Sequence, residues 1–287
     1  MNTLDSFLEQ AWTDHAEHAA AVAARLPDAL PLVQDDDGVM RLAALAHHVW
    51  GEHLKRWHEG LAFLVQLRDR RVAGADGSAS IARCRASLAL SGGVADERAA
   101  MTTSDRCRVS AMAAGNLAAA DARRASELLR DAVARAGDLP DDDPGVRAVA
   151  ANSNNIAATL RDLAPLPPEP RELMLRAAEV ARAHWQRAGT WLEVERAEYR
   201  LAMCRLAAGE PAQALRHARR CESIVREHGP APLEMFFAAE ALCLPARAVG
   251  DSETHAAALG TARQAFDALA PSDQAWCRPT LDKLNAS

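Results

Sequence analysis

Six of the ten histidines fall in the first 58 residues: His15, His18, His47, His48, His53 and His58. Imidazole is the side chain most often used as a metal ligand or proton carrier near neutral pH, so chemistry is sought there first. His48 and Glu52 stand four residues apart, one turn along a single helix face and within reach of one metal ion. A metal centre among helices needs further ligand pairs on facing helices. No His-x-x-x-His and no Glu-x-x-His occurs in the chain. The expectation is therefore no metal and no cofactor, with these histidines on helix surfaces and in turns, some stacked on Trp50 and Trp57. A metal-dependent helical enzyme rests on the N-terminal histidines alone.

Covalent chemistry has less to stand on. No serine or cysteine is framed by Gly-x-Ser-x-Gly, and neither a P-loop nor Gly-x-Gly-x-x-Gly is present. Glu193, Glu195, Arg196, Glu198 and Arg200 read as one charged helix face, solvated or ion-paired. The six cysteines are scattered without a Cys-x-x-Cys pair and read as buried, reduced thiols. The chain is expected not to be an enzyme. One polar run asks for another explanation: Asn152-Ser153-Asn154-Asn155 interrupts a stretch of Ala, Val, Ile and Leu. Asparagine is a poor interior helix residue because its amide competes for backbone hydrogen bonds.

What must hold these residues in place is helix. Of 287 residues 65 are alanine and 33 leucine, whereas valine and isoleucine together number 18 and aromatics make up 4%. Alanine and leucine favour helices, and too few β-branched or aromatic residues remain to build a sheet. The chain is expected to be all-α, which excludes active sites built on strand ends. Breakers divide it into about thirteen segments: 3–26, 40–52, 56–69, 79–91, 104–119, 121–136, 146–163, 171–187, 190–208, 211–227, 232–249, 253–269 and 272–284. A net charge of −6 argues against a nucleic-acid partner. No apolar run is long enough for a membrane span, and the opening residues lack a leader pattern, so a cytoplasmic chain is expected.

Short connections make successive helices antiparallel neighbours, and the pairs repeat. Second helices carry small or apolar residues at i, i+4, i+7: Gly60/Leu64/Leu67, Ala125/Leu129/Ala132, Met174/Ala178/Ala181, Ala214/Ala218/Cys221 and Ala258/Ala262/Ala265. First helices carry Ala113, Ala157, Ala202 and Cys243, at separations of 44, 45 and 41 residues. Small residues at that spacing let two helix axes approach closely along one face. Leu201-Ala202, Gly209-Glu210-Pro211, Ala214, Ala218 and Cys221 resemble the tetratricopeptide repeat, and Arg56-Trp57-His58-Glu59-Gly60-Leu61 resembles the turn of another unit. The spacing exceeds the usual repeat of about 34 residues, which longer helices of the kinesin light chain type would explain.

The resemblance implies a right-handed α-solenoid over the whole chain. Residues 1–38 would form an N-terminal helix and loop, 39–270 the hairpin repeats (degenerate at 70–103, where Gly74, Gly77, Gly92 and Gly93 intervene), and 271–287 a capping helix. Asn154-Asn155-Ile156-Ala157 is similar to the Leu-Asn-Asn-Leu-Ala signature of kinesin light chain repeats, where first-helix asparagines face a concave groove and hold an extended peptide. An amide both donates and accepts, so it can pair with any peptide unit; the same amides could instead tie neighbouring helices together. The register then sets Arg161, Arg196, Tyr199, Phe237, Glu240 and Arg247 on that side with Asn152, Asn154 and Asn155. The expected function is a non-enzymatic scaffold for a protein or peptide. A regulatory or sensor subunit acting through a separate partner is the alternative.

Overall fold

The structure, a computed structural model, describes residues 3–69, 76–229 and 231–286. Those residues form thirteen helices and no strand, most of the helices packed on neighbours in sequence. The described residues divide into two compact units, Met1–Asn152 and Ser153–Ser287. Among the described residues no helix is long and apolar enough to cross a membrane.

The first unit holds α1 (Leu4–Ala29), α2 (Asp36–His47), α3 (Trp57–Asp69), α4 (Asp76–Ser91), α5 (Thr103–Leu117), α6 (Ala122–Ala136) and the start of α7 (Pro144–Asp162). Its helices begin where side chains can satisfy the first free backbone amides. Thr3 and Ser6 form a reciprocal capping box on α1, the Asp35 carboxylate accepts from Gly38 N at 2.8 Å, and Asp121 accepts from Arg124 N at 3.0 Å. The sequence predicts that α1 ends before Pro27; the helix instead runs through Pro27 to Ala29 and is kinked at His18 (φ −128°, ψ 37°). Leucines 8, 26, 42, 45, 64, 67 and 88 fill the core with Trp50 and Phe63. Trp12, by contrast, is 41% exposed. Of the stretch 70–103 expected to be a degenerate repeat, residues 70–75, Gly74 included, lie outside the described residues.

Between α2 and α3 the helix widens. His48–His53 make a π-helical turn, with Leu54 N donating to Val49 O at 3.0 Å across five residues. Gly51 sits where a Cβ would come within 2.5 Å of the Asn116 side chain. Asn116 is buried and cannot retreat freely. Its Nδ2 donates to Ser91 Oγ at 3.0 Å and reaches Ser87 Oγ and His47 Nε2, each at 3.3 Å. This network joins α2, α4 and α5, and burial drives the His47 pKa down to about 4.

The second unit is more regular. It contains the rest of α7, then α8 (Pro168–Ala188), α9 (Trp191–Ala207), α10 (Pro211–His228), α11 (Pro232–Val249), α12 (Ser252–Asp267) and α13 (Pro271–Ala286). Gly209 and Gly250, both at φ +79°, turn the chain between α9 and α10 and between α11 and α12. That left-handed conformation strains any residue with a Cβ. Every residue of the two predicted ladders, in both units, is buried, from Gly60 and Ala113 to Cys243 and Ala265. α13 closes the unit with Cys277, Leu281 and Leu284.

Candidate functional site

The second unit carries a cleft of about 390 Å³, lined from four helices. α9 supplies Glu195, Arg196, Tyr199 and Arg200, whose spacing keeps them on one side of the helix. α11 adds Leu233, Glu234 and Phe237, again at i, i+1, i+4. α7 adds Asn154 and Arg161, two turns apart, and α13 adds Trp276.

One wall is aromatic. The Tyr199 and Phe237 rings meet edge-on at 5.8 Å, and Phe237 and Trp276 lie 5.2 Å apart at 58°. Trp276 is 64% exposed, so this wall continues to solvent. The Tyr199 hydroxyl donates to Glu240 Oε2 at 2.9 Å. Burial raises the pKa of both partners, which keeps Tyr199 a phenol.

The other pole is cationic. Arg196 pairs with Glu234 at 3.1 Å and Arg161 with Asp162 at 2.6 Å, both near solvent. Arg200 is half-buried, and among the described residues its buried Nε has no hydrogen-bond partner. Burial, and then the charge of Arg161, lower the Arg200 pKa. A guanidinium withdrawn from water beside a second cation is stabilised by an anion that reaches both.

Glu195 corrects the expectation of a solvated or ion-paired acid. It is only 2% exposed, accepts a hydrogen bond from Cys221 Sγ at 2.9 Å, and its pKa is pushed up to about 7 by burial. The reason is packing: α9 lies against both α8 and α10, so part of its charged face is turned inward. Glu198, equally buried, is ion-paired as expected, with Arg182 Nε at 2.9 Å and His217 Nδ1 at 2.7 Å.

The structure thus gathers Asn154, Arg161, Arg196, Tyr199 and Phe237 in one cleft, with Glu240 behind Tyr199. Asn152 lies in the first unit, where its Nδ2 donates to Ala148 O at 2.8 Å. Asn155 and Arg247 are exposed and do not line the cleft. Glu195, Arg200, Leu233, Glu234 and Trp276 were missed. Arg200 lies one turn beyond Arg196, and Leu233 one turn before Phe237, so extending those pairs by i+4 would have found both. His48 and Glu52, far apart in sequence from all of these, are joined in the first unit by a contact of 3.2 Å between Nδ1 and Oε2. Compared with known proteins, the chain matches no family model and no curated sequence.

Proposed function

We propose that the chain is a non-enzymatic scaffold, a right-handed array of tetratricopeptide-like hairpins, whose second unit binds a peptide segment in this cleft. The observation that carries the reading is the convergence of an amide, three arginines and an aromatic wall in one concavity. Asn154 can pair with a peptide unit through both its carbonyl and its amide. Arg161 and Arg200 suit a carboxylate, from an acidic side chain or a C-terminus. Phe237 and Trp276 suit an apolar or aromatic side chain, the kind of anchor that carries most of the energy at interfaces.

A synthetic library of short linear peptides with free C-termini, selected on the immobilised chain, tests this. The selected peptides are expected to combine a carboxylate with an aromatic or large aliphatic residue. Phe237→Ala should weaken them at least about tenfold, roughly 1.4 kcal/mol. Failure to enrich any peptide, or equal binding to the folded Phe237→Ala chain, contradicts the proposal.

A further inference from the structure

The first unit holds a cluster that the peptide cleft does not involve. One ring nitrogen from each of His15, His48 and His53 lies within 4.8 Å of the other two. His15 comes from α1, while His48 and His53 open and close the π-helical turn. In a regular α-helix, side chains five residues apart diverge by about 140°. The wider π turn brings them round to one side, and His48 Nε2 and His53 Nε2 stand 3.1 Å apart. Single π turns inside helices recur at functional sites for such reasons.

Two of the remaining nitrogens are already engaged. His48 Nδ1 lies 3.2 Å from Glu52 Oε2, and His15 Nδ1 lies 2.6 Å from Trp12 O. Each contact fixes a proton on Nδ1 and leaves the Nε2 lone pair to face the cluster, where that of His48 meets His53 Nε2 in a contact that a bound ion would replace. Metal-binding histidines are commonly oriented in this way, by a carboxylate or a backbone carbonyl on the far nitrogen. Two imidazole nitrogens on a tetrahedral zinc ion, each about 2.0–2.1 Å from it, stand about 3.3 Å apart, close to the 3.1 Å between His48 and His53. The Trp12 ring, 5.1 Å from His15 and 5.3 Å from His48 between centroids, forms an apolar side to the cluster. None of the three histidines is fully buried, so an ion can enter from solvent.

We propose that the first unit binds one divalent transition-metal ion of the zinc class through His15, His48 and His53, with Glu52 orienting His48. Three imidazole ligands leave at least one coordination position for water or an incoming anion. The sequence conceals this set because its spacing is i, i+5 on one element plus a single residue from another.

The test uses the full chain without a histidine tag, stripped with chelator and titrated with Co²⁺, then with Zn²⁺ in competition. One equivalent of Co²⁺ should give the visible absorption of a low-coordinate site, and one equivalent of Zn²⁺ should abolish it. His15→Ala and His53→Ala should each weaken binding by more than tenfold, and Glu52→Gln by about 10- to 100-fold. His58→Ala, an exposed residue outside the cluster, should leave both affinity and spectrum unchanged. Circular dichroism confirms that each variant is folded; His15 lies on a separate helix from the π turn, so its variant remains informative if His48→Ala unfolds. Absence of a saturable cobalt spectrum, or a His53→Ala chain that binds as tightly as the parent, overturns the proposal.

Discussion

The two units place polar groups in opposite ways. In the second, Glu195, Arg196 and Tyr199 share a helix face at i, i+1, i+4, and Leu233, Glu234 and Phe237 repeat the arrangement on α11. A regular helix does the positioning. In the first, His48 and His53 converge only because the helix between them widens to a π turn, with Gly51 packed on a buried Asn116. Regular geometry assembles a cleft from residues that already look like neighbours. Irregular geometry assembles a cluster from residues that do not.

The sharpest way to break the contrast is to substitute a glycine in each unit. Gly51→Ala should destabilise the chain by about 2–3 kcal/mol, because the new Cβ collides with Asn116, which its hydrogen bonds hold in place. Chemical denaturation measures this, and loss of the His47–Ser87–Asn116 network should accompany it. Gly209→Ala has open space around it and should cost only the left-handed backbone strain, about 1–2 kcal/mol. Equal effects at the two sites would remove the distinction between a packed π turn and an ordinary hairpin turn.

Glu195 sharpens the picture of the cleft through pH. Its folded pKa, about 7, stands above the ordinary value of 4.5, so between these values the folded chain holds a proton that the unfolded chain has lost. Its effect on stability is therefore neutral below 4.5, and stability falls as pH rises through 7. Glu195→Gln should remove up to about 2–3 kcal/mol of that loss at pH 8.5 and change little at pH 4. Thermal melts of both chains across pH 4–9 check this; parallel curves would mean that the carboxyl is not held neutral by burial. The smallest effect is expected at Asn155, which is exposed within α7. Asn155→Ala should leave the melting point unchanged or raise stability by about 0.5 kcal/mol through helix propensity. A large drop would show that its amide ties helices together.

How much of this was legible follows from the same contrast. The alanine ladders announced both the helices and their buried faces, since small residues at i, i+4, i+7 have few other uses, and all of them are buried. Five cleft residues were readable because the repeat register, carried from one hairpin to the next, sets them on the same side. Glu195 was misread because a charge pattern along one helix does not reveal which neighbours cover it. Asn152 and Asn155 were grouped with Asn154 by adjacency, yet successive helix positions point about 100° apart, and only Asn154 lines the cleft. The imidazole cluster was hidden because His15 and His53 join His48 through a kinked helix and a π turn, and neither leaves a periodic trace in sequence.

The proposed peptide site depends on Arg200 receiving an anion from the bound peptide. The most direct measurement is a double-mutant cycle, titrating a selected peptide and its neutral amide counterpart against the parent chain and Arg200→Ala. A guanidinium–carboxylate contact predicts a coupling energy of about 1.5–3 kcal/mol, with each single change weakening binding. A coupling below about 0.5 kcal/mol, with the amide peptide bound as tightly as the acid, would contradict it.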